Sequence, residues 1–160
     1  MASIQTRVTR TVVALDDTAS CAEAARLMTD RGIGSVGVRR GGALTGLVTE
    51  RDLVAAIARG VDPAKTPLAA VLRPDFPAVA PQATDAECAQ LMRTRRTRHL
   101  AVREGGVVVG VISMLDLVDL VVEEKQSDIE QLESYIRGGR AHQLSEPITT
   151  MFSHAANSVY

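Results

Sequence analysis

The chain has 160 residues, of which 46% are hydrophobic and 2% aromatic, and its formal net charge is −1. This composition predicts one compact domain, or two very small ones that share an aliphatic core. Balanced charge and scarce aromatic side chains argue against a nucleic-acid partner, and the lack of a long apolar run argues against a membrane span. The polar N-terminus does not resemble a secretion signal, so a cytoplasmic location is expected.

The two cysteines predict no metal site. Cys21 and Cys88 have neither the spacing nor the neighbouring histidines that a zinc site requires. We expect two buried thiols in a reducing compartment.

The chain contains an internal repeat. Residues 46–54 align without a gap on residues 110–118, which gives a repeat offset of 64 residues. The same offset superposes Leu27-Met28 on Leu91-Met92, and Gly41-Gly42 on Gly105-Gly106. A fixed repeat of this kind predicts two copies of one small structural unit.

The first copy reads as β-α-β-β-α. An extended segment at 11–13 precedes a capping box, Ser20-x-x-Glu23, and a helix that runs to about Arg31. Two strands, at about 33–38 and 43–48, flank a Gly-Gly turn, and a second helix begins after Thr49 and ends near Gly60.

The second copy repeats this order, from an extended segment at 77–79 through the capping box Thr84-x-x-Glu87 to a helix after Ser113. An apolar stripe predicts that this last helix continues to about residue 136 and ends at Gly138-Gly139. The predicted boundaries are 8–60 for the first repeat, 61–75 for a linker, 76–122 for the second repeat, 123–137 for a C-terminal helix and 138–160 for a flexible tail.

The segments Gly46-Leu47-Val48-Thr49-Glu50-Arg51-Asp52-Leu53 and Gly110-Val111-Ile112-Ser113-Met114-Leu115-Asp116-Leu117 resemble the hydrophobic-Ser/Thr-x-x-Asp signature of CBS domains. Two such repeats in tandem resemble a CBS pair, or Bateman module, and the long last helix is similar to that of small stand-alone bacterial CBS-pair proteins. The resemblance implies an α/β fold whose two repeats pack through their sheets with pseudo-twofold symmetry. It also implies two clefts that bind adenine nucleotides, and assembly as a homodimer.

The Ser/Thr-x-x-Asp motif has a physical rationale as a ribose site. Asp52 and Asp116 lie at predicted helix starts, where a carboxylate can accept hydrogen bonds from both ribose hydroxyls. Thr49 and Ser113, one turn earlier, can reach the ribose or a phosphate. The alternative is that both aspartates only decorate the first turn of a helix.

The resemblance also implies which strand faces which carboxylate. Asp116 should face Ile33, Gly34 and Ser35, while Asp52 should face Thr97, Arg98 and His99. Leu47 and Val111 would cover the adenine, and Arg98, His99 and Arg51 would bind phosphate. The neighbouring Arg93, Arg95 and Arg96 are interpreted as solvated.

The sequence favours a sensor over an enzyme, because it lacks hydrolase, metalloprotease and phosphate-loop motifs. We therefore expect a non-catalytic module, without a catalytic cofactor, that binds AMP, ADP, ATP or an NAD-type ligand and signals to an unknown effector protein. The alternatives are an interaction module with empty clefts and an S-adenosylmethionine sensor.

Overall fold

A computed structural model describes residues 3–143, so residues 144–160 of the predicted tail lie outside the described part. The first repeat contains β1 (Ala14–Asp16), α1 (Cys21–Arg31), β2 (Ser35–Arg40), β3 (Ala43–Thr49) and α2 (Glu50–Ala58). The second contains β4 (Ala78–Val79), α3 (Asp85–Arg95), β5 (His99–Glu104), β6 (Val107–Ser113) and α4 (Met114–Gln143). The chain divides into two compact units, Met1–Val122 and Glu123–Tyr160.

The two repeats form equivalent three-stranded sheets, which confirms the predicted α/β class. The strand orders are β1-β2-β3 and β4-β5-β6, with a parallel first pair and an antiparallel second pair in each sheet. Ser35 pairs with Thr49, and His99 pairs with Ser113, at positions that differ by the repeat offset. The pairing register thus follows the sequence repeat.

Three apolar clusters form the core of the first unit. One lies inside each repeat, and the third lies between the two sheets, where Leu47, Phe76, Ala101, Val108 and Val111 are buried. The two repeats therefore pack through their sheets, as the family resemblance implies. Cys21 and Cys88 are both free and buried in the repeat cores.

Each repeat is completed by the segment that precedes the other one. Ile4 is fully buried in the core of the second repeat, and Thr9 exchanges two backbone hydrogen bonds with Val111. At equivalent positions, Leu68 is buried in the core of the first repeat and its N–H donates to the Ala19 carbonyl at 2.8 Å. The predicted start at residue 8 therefore omits part of the fold, and the predicted linker contains part of a core.

Two predicted boundaries differ from the structure. The first strand is Ala14–Asp16, later than the extended segment expected at 11–13. Helix α4 continues through Gly138-Gly139 to Gln143 instead of ending there. Glycine weakens a helix by about 1 kcal/mol but keeps its N–H donor, so a glycine pair permits a helix to continue.

Candidate functional site

The two Ser/Thr-x-x-Asp motifs form capping boxes at the starts of α2 and α4. The Thr49 N–H and hydroxyl donate to Asp52 Oδ2 at 2.8 and 2.7 Å. The Ser113 N–H and hydroxyl donate to Asp116 Oδ2 at 2.7 and 2.6 Å. These bonds fix one oxygen of each carboxylate and confirm that both hydroxyl residues lie at helix starts.

The same hydrogen bonds occur at the starts of α1 and α3, whose capping residues line neither of the two clefts that contain Asp52 and Asp116. There the Ser20 and Thr84 N–H groups donate to Glu23 and Glu87, which lowers the pKa of both carboxyls. The capping role that the sequence left as an alternative is therefore real for Asp52 and Asp116. Their distinguishing property is their position, since both line clefts between the repeats.

The smaller cleft, of about 290 Å³, contains Asp52. It brings Thr49, Arg51 and Asp52 of the first repeat to Thr97, Arg98 and His99 of the second. The remaining lining residues are Gly34, Glu50, Ala55, Arg59, Val71, Arg73, Arg95 and Arg96. The crossed arrangement expected for Asp52 is therefore present.

The larger cleft, of about 970 Å³, contains Asp116. It brings Ser113 and Asp116 together with Ile33, Gly34 and Ser35, again as the crossed arrangement requires. Most of its other lining side chains are apolar, namely Val12, Val13, Ala25, Met28, Leu53, Val54, Ile57, Val111, Met114 and Leu115.

The two clefts share Gly34, Glu50, Arg98 and His99. The Arg98 guanidinium pairs with the Glu50 carboxylate at 3.1 Å across the repeats. A β-carbon on Gly34 would lie 2.9 Å from His99 Cε1, so glycine at this position permits the close approach of the two strands.

Leu47 differs from the other predicted site residues. It is fully buried between the two sheets and is not part of the lining of either cleft. Its counterpart in the second repeat, Val111, is also buried but does line the larger cleft. The two positions are thus equivalent in the repeat alignment, but only the side chain of Val111 can contact a ligand in a cleft.

Two side chains in the smaller cleft are held by ion pairs or hydrogen bonds. Arg73 Nε lies 2.9 Å from Asp52 Oδ1, and its guanidinium stacks over Phe76 at 5.3 Å from the ring centroid. Arg51 donates to the Arg96 carbonyl. Both oxygens of Asp52 therefore have protein partners, whereas the structure gives Asp116 Oδ1 no donor among residues 3–137.

His99 lies at the junction of the clefts. Burial lowers its pKa, and the neighbouring Arg98 charge lowers it further, while Glu50 and Asp116 act in the opposite direction. The side chain is therefore biased towards the neutral form near pH 7.

Sequence reasoning missed four arginines of the smaller cleft: Arg59, Arg73, Arg95 and Arg96. Arg95 and Arg96 are exposed, in agreement with their interpretation as solvated, and both also line the cleft. Arg96 adopts a left-handed backbone with φ of 50°. Arg73 lies in the predicted linker, at the position equivalent to Thr9, which lines the larger cleft. The repeat alignment, when it is extended upstream, pairs residues 3–9 with residues 67–73, but it does not by itself predict that either segment lines a cleft.

The described residues contain no group of three His, Cys, Asp or Glu side chains placed to hold a metal ion. Within residues 3–143, the structure also has no helix that is both long and apolar enough to cross a membrane.

Comparison with known proteins gives matches to one family. The family described as "CBS domain" matches residues 3–59 and 68–123. CBS domain-containing protein CBSX3, mitochondrial, of Arabidopsis thaliana is 32% identical over 123 residues, and the match covers 73% of this chain and 60% of that protein. This chain therefore spans less than two thirds of the length of that relative.

Two solved structures are similar to this one. A proposed signal-transduction protein with CBS domains from Burkholderia ambifaria has a TM-score of 0.65 and 32% identity, with coverage of 71% of this chain and 85% of that one. A hexameric CBS-CP12 protein from bloom-forming cyanobacteria has a TM-score of 0.64 and 25% identity, with coverage of 89% and 88%.

Proposed function

Because this chain belongs to the CBS-domain family, with two CBS domains in tandem, we propose that it is a non-catalytic regulatory protein that binds an adenine nucleotide between its repeats. The ligand is AMP, ADP, ATP or an NAD-type dinucleotide. One observation carries this proposal: in each cleft, a helix-start carboxylate of one repeat faces the strand entrance of the other.

The ribose site is argued from Asp116. Its Oδ2 is occupied by the two bonds from Ser113, while Oδ1 remains available within the larger cleft. A carboxylate that is already oriented by a capping box can accept ribose hydroxyls with little further loss of side-chain entropy. Each charge-assisted hydrogen bond of this kind contributes about 1.5–3 kcal/mol.

The adenine would lie at the entrance of β2. The Gly34 carbonyl accepts from the Glu50 N–H at 3.1 Å and the Ile33 N–H donates to the Met28 carbonyl at 3.0 Å. These bonds leave the Ile33 carbonyl and the Gly34 N–H for the edge of the base. The apolar side chains of the larger cleft, including Met28 and Val111, would cover its faces.

We also propose that the protein acts as a homodimer, in the cytoplasm, on an effector protein that is still to be identified. Helix α2 and the first part of α4 expose large apolar side chains, namely Val54, Ile57, Leu115, Val118, Val121 and Val122. Two helices with this surface can pack against their copies in a second chain. A molar mass equal to that of the monomer, measured by light scattering, would contradict the proposed homodimer.

Isothermal titration calorimetry with AMP, ADP, ATP and NAD tests the binding proposal, with cytidine monophosphate as the control for the base. We expect at least one adenine nucleotide to bind and the cytidine compound to bind more weakly, because its smaller ring fills less of the apolar cleft. S-adenosylmethionine belongs in the same panel. If it alone binds tightly, the protein is an S-adenosylmethionine sensor and not a nucleotide sensor. If no adenine compound releases heat, the proposal fails in favour of an interaction module with empty clefts.

A further inference from the structure

The two clefts have opposite electrostatic character, although they arise from one duplicated unit. Six arginines line the Asp52 cleft, at positions 51, 59, 73, 95, 96 and 98, together with only two carboxylates, Glu50 and Asp52. The larger Asp116 cleft is lined by one arginine, Arg98, and by two carboxylates, Glu50 and Asp116. A surplus of positive charge thus lies in the smaller cleft alone.

From this contrast we infer that the Asp52 cleft is selective for ligands with several phosphates, and that Arg73 is the residue that imposes the selection. The inference rests on the proposed function and narrows it for one cleft. The chemical class is a nucleoside di- or triphosphate, in preference to a nucleoside, a monophosphate or a cationic adenosyl compound.

The Arg73–Asp52 ion pair supplies the selection. Its 2.9 Å contact occupies the only Asp52 oxygen that the capping box leaves open. A ribose that enters this cleft must displace the guanidinium from a carboxylate that is only 10% exposed. The Arg73 side chain itself is 42% exposed, so its displaced charge stays at the cleft surface, where an anionic group of the ligand can become its new partner. The terminal phosphates of a polyphosphate provide that partner, whereas adenosine does not.

The remaining arginines make the same preference stronger. Arg51 and Arg98 are held by Arg96 and Glu50, so part of their charge is already oriented within the cleft. Each additional phosphate can therefore form at least one further charge-assisted hydrogen bond without ordering a new side chain. S-adenosylmethionine carries a positive sulfonium, which this surplus of positive charge repels.

Calorimetry with adenosine, AMP, ATP and inorganic tripolyphosphate tests the inference on wild type, Arg73→Gln and a matched control, Arg40→Gln. Arg40 pairs with Asp17 at 2.6 Å and lines neither cleft, so the control removes the same charge from the same kind of ion pair. In wild type we expect ATP to bind at least about tenfold more tightly than AMP, because one additional charge-assisted hydrogen bond changes the affinity by about this factor. In Arg73→Gln this ratio should shrink while adenosine binds no worse, and in Arg40→Gln it should be unchanged.

The failures of the two proposals are distinguishable. Nucleotide binding that is independent of the number of phosphates would overturn the inference and leave the proposed function intact. Equal effects of Arg73→Gln and Arg40→Gln would also overturn it, because they would show only a general effect of charge. If tripolyphosphate binds in an Arg73-dependent manner and no nucleotide does, the polyphosphate site stands and the proposed function fails; if neither binds, both fail.

Discussion

At the scale of single residues, Asp52 and Asp116 cap their helices, and this capping does not prevent them from lining a cleft. Each carboxylate caps a helix with one oxygen and lines a cleft with its side chain. The capping role could be predicted because it depends only on local spacing. The Arg73 contact with Asp52 could not, since it joins residues that are far apart along the chain and depends on how the segment after α2 packs.

His99 should make the folded protein less stable in mild acid. Burial lowers its pKa in the folded state below the ordinary value of about 6.5, so the unfolded chain binds the proton more readily. The free energy of unfolding should therefore fall as the pH decreases from about 7.5 through about 6.5, and level off below the folded-state pKa.

Urea unfolding at pH 7.5 and 5.5, on wild type and His99→Gln, measures this effect. We expect a larger loss of stability at pH 5.5 in wild type than in the variant, whose remaining histidines are unchanged. Equal losses in the two proteins would show that His99 does not titrate differently on folding.

At the scale of elements, the sequence repeat predicted the order β-α-β-β-α, and local spacing predicted the capping boxes Ser20-x-x-Glu23 and Thr84-x-x-Glu87 at the starts of α1 and α3. The repeat could not predict that residues 3–9 complete the second repeat, because a buried Ile4 and two backbone bonds at Thr9 leave no periodic signal in so short a segment. The end of α4 was also missed, since glycine only weakens a helix.

The packing of residues 3–9 on the second repeat predicts unequal effects of two substitutions at equivalent positions. A β-carbon on Gly110 would lie 2.5 Å from Val8 Cγ1 and 2.9 Å from the Thr9 carbonyl oxygen, which is backbone. A β-carbon on Gly46 would meet only the flexible end of Leu72, at 3.0 Å. Gly110→Ala should therefore cost about 1–3 kcal/mol of stability, and Gly46→Ala clearly less.

Chemical denaturation of the two variants gives the costs, and hydrogen exchange of the Thr9 amide shows whether the segment is displaced. Equal stability of the two variants, with Thr9 still protected, would contradict the close packing of residues 3–9 on β6.

At the scale of the whole molecule, duplication produces one fold with two unlike clefts. The family resemblance, and not the repeat alone, implied which helix start faces which strand. The sequence analysis did not predict that Arg73, at the position equivalent to Thr9, and Arg96, at the position equivalent to Gly32, add positive charge to the smaller cleft alone. Symmetry thus determines the backbone of the clefts, and individual substitutions determine their chemistry.

The central claim is that the two aspartates bind ligand in addition to capping their helices. The most direct measurement is the affinity of an adenine nucleotide for Asp52→Asn/Asp116→Asn, compared with Glu23→Gln/Glu87→Gln. Each double variant removes two negative charges and weakens two capping boxes, but only the first pair lies in the clefts. Calorimetry should show that the affinity for AMP is reduced at least about tenfold in the aspartate variant, because a charge-assisted hydrogen bond to the ribose is lost. The affinity for AMP should be unchanged in the glutamate variant. Equal affinity of both double variants and wild type would contradict the claim.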